Sequence, residues 1–223
     1  MVIPTSATLP ASPTVLLTGF DPFGGEPINP SWQAAKALHG RRIAGHRIVA
    51  AQLPTVFGQS LTTLRALVRE RRPALVICLG LAAGRGAISI ERVAINVNDA
   101  RIADNAGRQP VDEPIIEGGP AAYFSNLPIK AMRAAIDTKG IAAEVSQTAG
   151  TFVCNHVFYG LMHLLSTGRG LKGTRGGFIH VPMLPEQGAP SMALETLVEG
   201  LRAGIRTALT TSVDLRQEAG RIS

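Results

Sequence analysis

The sequence predicts an α/β protein: a three-layer α/β/α fold with a mostly parallel, twisted central sheet and an inserted β-ribbon. Apolar strand-like runs alternate with helical patterns along most of the chain. Several of these runs are apolar throughout, which indicates burial on both faces, as in a parallel sheet covered by helices. Near the middle, the alternation is interrupted by a segment with the two-residue period of a ribbon.

The elements follow in order along the chain. Five runs are predicted strands: 15–20, 47–54, 74–81, 142–149 and 177–183. Five segments with apolar residues three and four apart are predicted helices: 31–40, 60–72, 121–140, 154–168 and 190–209. From Ala87 to about Ile116, "ISIERVAINVNDARI" alternates and "DNAGRQPVDEP" is rich in turn residues. We therefore expect an inserted hairpin or a long functional loop there.

Composition limits the class of protein. A chain of 223 residues, 45% hydrophobic and 17% charged, suits one catalytic α/β domain over 15–223 after a disordered leader over 1–14. No apolar run approaches the roughly 18 residues of a membrane span, and no secretory signal opens the chain. Two cysteines are too few for a disulfide framework, so we expect a cytoplasmic protein. The net charge of +6 is spread along the chain, which predicts no nucleic-acid or membrane partner.

The stretch "SQTAGTFVCNHVFYG", residues 146–160, places Cys154 at or near the start of a predicted helix. A helix N-terminus offers unpaired N–H groups and positive potential, which lower the pKa of a thiol and stabilise an oxyanion. The alternative is that Cys154 is a small core residue. Cys78, in the middle of a predicted strand, fits that second role better.

A thiol nucleophile needs a base, and the chain has five histidines. His156 and His163 follow the cysteine by two and nine residues on its own helix, which turns them roughly 160 to 180° away from it. His39 and His46 flank a turn at the amino end of a strand, away from the edge where ligands gather. His180 ends the apolar part of a strand on the expected edge, although it could equally be a satisfied strand-end histidine.

The third group must orient the imidazole and hold its charge. Glu91 is flanked by apolar residues, and its neighbour Arg92 has the opposite pleat direction, so one of the two must point inward or toward a cleft. Asp99, Arg101 and Asp104 lie nearby, with surface ion pairing as the alternative. The residues alone leave this choice open.

Several long motifs in order carry a resemblance: "LLTGFDPFGGEPINPS", "GLAAGRGAISIERVAINVNDARIADNAG", "PVDEPI", "AAYFSNLPIK", "SQTAGTFVCNHVFYG" and "GFIHVPMLPEQ". From Val15 onward the chain resembles pyroglutamyl-peptidase type I, also called pyrrolidone-carboxylate peptidase. The resemblance implies a cysteine peptidase that removes an N-terminal pyroglutamate from peptides, with a triad of Glu91, Cys154 and His180. It also implies a homotetramer.

The substrate-binding residues are implied by the same resemblance. Pyroglutamate is a neutral lactam, so a carboxylate that holds a free amine in ordinary aminopeptidases would have nothing to bind. Its flat, partly apolar ring is better gripped between aromatic faces. Phe20, Phe23, Phe152 and Val153 are the candidates, and Arg101 is implied close to the site. The alternative for each phenylalanine is a role in anchoring loops to the core. Leu81 stands where some relatives carry glutamine, which leaves the binding of the lactam oxygen open.

Two functions other than a peptidase are alternatives. "GLAAGRG", residues 80–86, has glycine spacing similar to a nicotinamide-nucleotide loop, but such a loop must open into a helix, and this one is followed by a predicted strand. A catalytically silent module that binds blocked peptide ends is the second alternative. We find no metal-ligand cluster, so we predict no cofactor and no metal.

Overall fold

A computed structural model of the protein describes residues 13–220. Within them the chain forms nine strands: β1 (Thr14–Phe20), β2 (Arg42–Ile43), β3 (His46–Leu53), β4 (Leu75–Leu81), β5 (Ile88–Glu91), β6 (Val93–Ile95), β7 (Ala122–Phe124), β8 (Ala143–Ser146) and β9 (Arg175–Val181). The α-helices are α1 (Pro30–Leu38), α2 (Gln59–Arg71), α3 (Ile129–Asp137), α4 (Val153–Thr167) and α5 (Leu194–Thr210). The predicted leader falls mainly on residues 1–12, which lie outside the described part of the chain.

Seven strands form a central sheet in the order β2-β3-β1-β4-β9-β5-β8. The pairings β3–β1, β1–β4, β4–β9 and β5–β8 are parallel, whereas β2–β3 and β9–β5 are antiparallel. The prediction of a mostly parallel sheet is confirmed. The apolar strands β1 and β4 are buried along almost their whole length, as expected for strands covered on both faces.

Helices cover both faces of the sheet, which confirms the three-layer fold. Successive strand residues point to opposite faces, so Leu17 and Leu79 join one apolar core, while Leu16 and Cys78 join the other. Helices α1, α3 and α5 pack over the first core, and α2 and α4 pack over the second. The carboxyl end of β4 and the start of α4 meet on the side of the second core.

The predicted ribbon is only partly correct. Strand β6 does form a two-stranded antiparallel ribbon with β7, but β5 leaves it and enters the central sheet between β9 and β8. The local pattern explains why: Ile88 and Ile90 are buried in the first core, whereas Ser89 and Glu91 are buried on the opposite face. A strand buried on both faces belongs in a covered sheet and not in an exposed hairpin.

Two helices begin later than predicted. Residues 122–124 form β7, and α3 begins only after Pro128, because a proline disfavours helical conformation in the residue before it. Helix α5 begins at Leu194, since Ser191 forms a bridge with Met183 instead. The short strand β2 was not predicted at all.

Strand β8 runs in the direction opposite to that expected for a parallel sheet, which changes how Cys154 reaches the site. Because β9 and β5 are antiparallel and β5 and β8 are parallel, β8 runs opposite to β4 and β9. Its carboxyl end therefore does not point to the same edge as theirs. The loop of residues 147–152 and the first turn of α4, not the end of a strand, bring Cys154 to the site.

Candidate active site

Two neighbouring strands bring a histidine and a carboxylate together on one face of the sheet. His180 of β9 is the register partner of Ser89 of β5, and Glu91 lies two residues further along, so its side chain emerges on the same face. Nδ1 of His180 lies 2.7 Å from Oε1 of Glu91, and both residues are buried. The carboxylate accepts the Nδ1–H, which leaves Nε2 of the ring as a proton acceptor.

Cys154 is the second residue of α4, after Val153. The N-cap residue, Phe152, gives no side-chain hydrogen bond to the helix, so no capping side chain occupies the first-turn N–H groups. The sulfur packs against β4, since a β-carbon built at Gly80 would lie 2.7 Å from Sγ. Gly80 is the register partner of His180. The candidate nucleophile and the imidazole therefore flank the same point of the sheet.

Burial governs the state of the Cys154 thiol. Within residues 13–220, no hydrogen bond joins Sγ of Cys154 to His180. Burial raises the pKa of the Cys154 thiol to about 12, with smaller effects upward from Glu91 and Cys78 and downward from Arg85. The sequence predicts a lowered pKa at this helix N-terminus, whereas the pKa of the enclosed thiol is raised, because burial disfavours the charged thiolate. A base must take the proton when the sulfur attacks.

An apolar cavity of about 220 Å³ opens beside the sulfur. Its walls come from the loops after β1 and β3, the end of β4 and the start of α4: Phe20, Phe23, Glu26, Ile28, Asn29, Thr55, Leu81, Ala83, Phe152, Val153 and Cys154. The predicted substrate-binding residues Phe20, Phe23, Phe152 and Val153 are all among them. The centroids of the Phe23 and Phe152 rings are 5.3 Å apart, and Phe57 meets Phe152 edge-on at the same separation. The cavity therefore presents aromatic surface next to a thiol.

Hydrogen bonds between three loops hold the cavity walls. Asp21, after β1, accepts from the N–H and the hydroxyl of Thr55, after β3, at 2.7 and 2.6 Å. Asn105, in the long segment after β6, donates to the same aspartate at 3.3 Å. Gly19 lets α1 approach β1, because a β-carbon there would lie 2.5 Å from the backbone of Ser31. Sequence reasoning missed these residues, whose only signal is a short polar or absent side chain in a turn-rich segment.

Arg101, Asp99 and Asp104 do not line the cavity. Arg101 is exposed and is not among the residues that line the cavity. It follows Asp99, whose N–H donates to the carbonyl of Thr151 at 3.0 Å, so this segment is anchored to the loop before α4. Asp104 is buried and accepts the N–H of Phe57 at 2.9 Å. Neither aspartate bonds to the imidazole of the candidate base, which has the glutamate as its partner.

The two histidines of α4, which the helical spacing predicts to be turned away from Cys154, bond to other segments. Nε2 of His156 accepts the N–H of Gly58 at 3.0 Å, and its Nδ1 lies 3.0 Å from Oδ1 of Asn98. Nδ1 of His163 lies 3.0 Å from the hydroxyl of Tyr123. Both rings therefore fasten α4 to other segments.

The glycine-rich loop after β4 leads into β5 and not into a helix, as predicted, so it lacks the helix N-terminus that a pyrophosphate requires. Its arginine is a site residue that sequence reasoning missed. Nη1 of Arg85 lies 2.9 Å from Oε1 of Glu91 and 3.2 Å from Oγ of Ser146. The glycine spacing of this loop is similar to that of a nucleotide-binding loop, and that pattern gives no indication of a role for the arginine.

Both cysteines are free thiols. Among residues 13–220, no group of three or more His, Cys, Asp or Glu side chains is arranged to hold a metal ion. In the same part of the chain, no helix combines the length and the apolar character needed to cross a membrane.

Comparison with known proteins gives consistent matches in sequence. The family model described as pyroglutamyl peptidase matches residues 13–211. The chain is 61% identical over 214 residues to the pyrrolidone-carboxylate peptidase of Cupriavidus necator, which covers 94% of this chain and 99% of that protein. It is 53% identical over 212 residues to the pyrrolidone-carboxylate peptidase of Bacillus cereus, covering 93% and 98%.

Solved structures agree. The crystal structure of pyroglutamyl peptidase I from Bacillus amyloliquefaciens matches with a TM-score of 0.88 and 52% identity, over 91% of this chain and 100% of that one. A mutant pyrrolidone carboxyl peptidase from Pyrococcus furiosus matches with a TM-score of 0.84 and 44% identity, over 88% and 98%. The chain therefore belongs to the pyroglutamyl peptidase family of cysteine-type peptidases.

Proposed function

We propose that this protein removes an N-terminal pyroglutamyl (5-oxoprolyl) residue from peptides through a thiol acyl-enzyme, with Cys154, His180 and Glu91 as the triad. The observation that carries the proposal is the 2.7 Å contact between Nδ1 of His180 and Oε1 of Glu91, beside a cavity that ends at the cysteine. A carboxylate that fixes the tautomer of an imidazole prepares it to act as a base toward a thiol. The family and the names of the relatives support the same activity.

The chemistry balances without an added group. Sγ of Cys154 attacks the carbonyl carbon that joins pyroglutamate to the next residue, and Nε2 of His180 takes the thiol proton. The tetrahedral intermediate collapses, the C–N bond breaks, and the same proton goes to the leaving amine. Water, deprotonated by the imidazole, then attacks the thioester carbonyl. The C–S bond breaks, pyroglutamate is released, and the proton on the imidazole returns to Sγ. Because the thiol is buried and its pKa is raised to about 12, proton transfer accompanies attack instead of preceding it.

The reaction also requires groups that stabilise the oxyanion and groups that bind the lactam ring. Backbone N–H groups of the first turn of α4, at Val153 and Cys154, would meet the oxyanion. The lactam ring would lie against the aromatic surface that Phe23 and Phe152 form together, their centroids being 5.3 Å apart. Arg101 stays a proposed contact of the part of the peptide that lies outside the cavity.

Hydrolysis of a fluorogenic pyroglutamyl amide tests the proposal. We expect turnover by the native protein and loss of at least about a thousandfold in kcat for Cys154→Ala, as for other removed nucleophiles. Cys78→Ala is the matched control: it removes the other, buried thiol and should retain the rate and the sensitivity to alkylation. Binding without turnover in the native protein would identify a silent peptide-binding module, and a Cys154→Ser variant with the native rate would refute the mechanism.

A second substrate sharpens the test of specificity. The corresponding prolyl amide has the same ring size but a charged amine and no lactam carbonyl. Desolvating that charge in a cavity lined by Phe20 and Phe152 is unfavourable. We expect the prolyl amide to be cleaved at least about a hundredfold more slowly. Comparable rates for the two amides would refute lactam recognition.

We further propose that residues 15–223 form one catalytic domain, that the protein acts in the cytoplasm and that it assembles as a homotetramer. One sheet that runs through the described chain supports the single domain. Free thiols of the kind found in reducing compartments support the cytoplasmic location. The family resemblance supports the homotetramer. Light scattering on the purified protein distinguishes a tetramer from a monomer of 23.4 kDa.

A further inference from the structure

Arg85 and His180 meet on the same oxygen atom of Glu91. Nη1 of Arg85 lies 2.9 Å from Oε1, and Nδ1 of His180 lies 2.7 Å from it. The Glu91 side chain has no exposed surface, whereas the arginine is 29% exposed. The other oxygen, Oε2, is buried and has no hydrogen-bond partner within residues 13–220. Contacts to a single oxygen thus hold the negative charge of the glutamate.

The same arginine also contacts the segment that leads to the nucleophile. Nη1 of Arg85 lies 3.2 Å from Oγ of Ser146, and Nη2 lies 3.3 Å from the carbonyl oxygen of Thr148. The Ser146 hydroxyl in turn donates to the Thr148 carbonyl at 3.0 Å. These residues begin the loop that connects β8 with α4, where Cys154 lies. One side chain therefore links the carboxylate to the loop before the thiol.

Charge decides the protonation of the buried pair. Arg85, from the loop after β4, bonds to Glu91, and Glu144 of β8 bonds to Ser89, the register partner of His180. The thiol of Cys154 in α4 is affected by Glu91 and Arg85 and by Cys78 of β4. Both thiols are neutral because burial raises their pKa values to about 12. Arg85 is the only cation among these groups, and its guanidinium bonds directly to the Glu91 carboxylate. Without it, the pair has an uncompensated negative charge and takes up a proton more readily.

We infer that Arg85 is a positioning residue that holds Glu91 ionised and aligned, and thereby keeps His180 a neutral base near pH 7. This inference rests on the proposed function, in which His180 accepts the thiol proton. Arg85 does not touch the reacting atoms, and it acts through the carboxylate and through the loop of residues 147–152. Its charge and its hydrogen bonds are separable contributions, because a lysine would keep the first and lose most of the second.

The pH profile of kcat/KM for pyroglutamyl amide hydrolysis tests the inference. For Arg85→Gln we expect the acid limb to move at least about one pH unit to higher pH, since a charge at this distance has effects of that size. Arg85→Lys should return the limb close to its native position while kcat stays several-fold low. Arg92→Gln is the matched control: its guanidinium bonds to Gln147 in the same loop at 2.8 Å but not to the glutamate, so its acid limb should not move.

An Arg85→Gln profile with the native midpoint would overturn the inference, whatever the rate. Nuclear magnetic resonance of labelled histidines gives a readout that does not need turnover, because His180 should titrate at higher pH in Arg85→Gln than in the native protein. An unchanged histidine titration in folded Arg85→Gln contradicts the assignment. If the glutamine variant does not fold, Arg85→Lys decides, because an acid limb displaced by a full pH unit in a variant that keeps the positive charge would contradict it. If the native protein cleaves no pyroglutamyl amide, the proposed function fails, and the resonance experiment still decides the role of Arg85.

Discussion

The sulfur of Cys154 occupies the space that a side chain at Gly80 would fill. A β-carbon at that glycine would lie 2.7 Å from Sγ and 2.8 Å from Cζ of Phe178. Both distances are far inside van der Waals contact, so a side chain at position 80 would have to displace the sulfur, the phenylalanine ring or both. Because Gly80 pairs with His180, this close approach sets the position of the thiol relative to the imidazole.

Gly80→Ala should therefore damage catalysis more than stability. The added methyl group must displace the sulfur or the phenylalanine ring, and a displacement near 1 Å at a reacting atom costs about a hundredfold in rate. Overpacking of this kind lowers the free energy of unfolding by about 1–3 kcal/mol. Steady-state kinetics with the pyroglutamyl amide and thermal unfolding measure the two effects.

Gly204→Ala is the control for that change. This glycine lies in α5, where a β-carbon would meet its nearest neighbour, Ile136, at 3.4 Å. Alanine is preferred over glycine inside a helix. The control should keep the native rate and should not lower the melting temperature, and a native rate in Gly80→Ala would contradict the steric argument.

The reaction of Cys154 with iodoacetamide should increase steeply with pH. Burial raises the pKa of this thiol to about 12, so the thiolate fraction grows about tenfold per pH unit over the whole range from pH 7 to 10. The measurement is the second-order rate of alkylation, with Cys78→Ala as the background that isolates one thiol. A plateau near neutral pH would instead identify a preformed thiolate and imidazolium pair.

His156 should make the fold less stable in mild acid. Burial, followed by the positive charges of Arg108 and Arg65, lowers its pKa from 6.5 to about 4. Between these values the unfolded chain binds the proton and the folded protein does not. The contribution of this ring to the free energy of unfolding is therefore fully present above pH 6.5. The free energy of unfolding falls by up to about 3 kcal/mol as the pH falls toward 4.

Denaturant unfolding at several pH values measures this slope. In His156→Gln the part of the slope that belongs to this ring should disappear, although the variant is less stable at pH 7 because Gly58 and Asn98 lose a partner. His39→Gln changes an exposed histidine and should leave the slope intact. Equal slopes in the native protein and His156→Gln would refute the prediction.

Asp214 should stabilise α3 from a distance in the sequence. The N-cap residue of this helix, Pro128, provides no side-chain hydrogen bond, and the Asp214 carboxylate instead accepts the N–H groups of Lys130 and Ala131 at 3.1 and 2.8 Å. Asp214→Ala should lower the free energy of unfolding by about 1 kcal/mol, as for other lost caps. Calorimetry should record a fall of a few degrees in Tm.

Asp137→Ala is matched in charge and lies on the same helix. Its carboxylate pairs with Arg133 at 3.7 Å and is 43% exposed, so its loss should change stability by no more than about 0.5 kcal/mol. An equal loss in the two variants would show that general charge, and not capping, explains the effect of Asp214.

The elements with strong local periodicity could be predicted from the sequence. The prediction of a helix over 60–72 agrees with Gln59–Arg71, and that over 154–168 agrees with Val153–Thr167, because an amphipathic stripe and a following polar or glycine segment define both. The partner of β5 could not be predicted. A two-residue period identifies a strand, but β9, the neighbour of β5, lies more than 80 residues later in the chain.

Much of the site was also beyond local reasoning. Cys154 and His180 stood out by position, whereas Glu91 was selected over Asp99 and Asp104 only by resemblance. What distinguishes Glu91 physically is its burial between two strands, which depends on the distant pairing. The raised pKa of the thiol has the same origin, since the helix terminus is visible in the sequence and the enclosing side chains are not.

Strand β9 is the last strand of the sheet to leave the ribosome, yet its place is between β4 and β5. Until Arg175–Val181 has been translated, the glutamate strand and the glycine strand have no common neighbour, and the imidazole of His180 does not yet exist beside them. A growing polypeptide consequently lacks the proposed triad for most of its synthesis. If that triad is the hydrolytic centre, we expect peptide cleavage only when the nascent chain is nearly finished and β9 has closed the gap in the sheet.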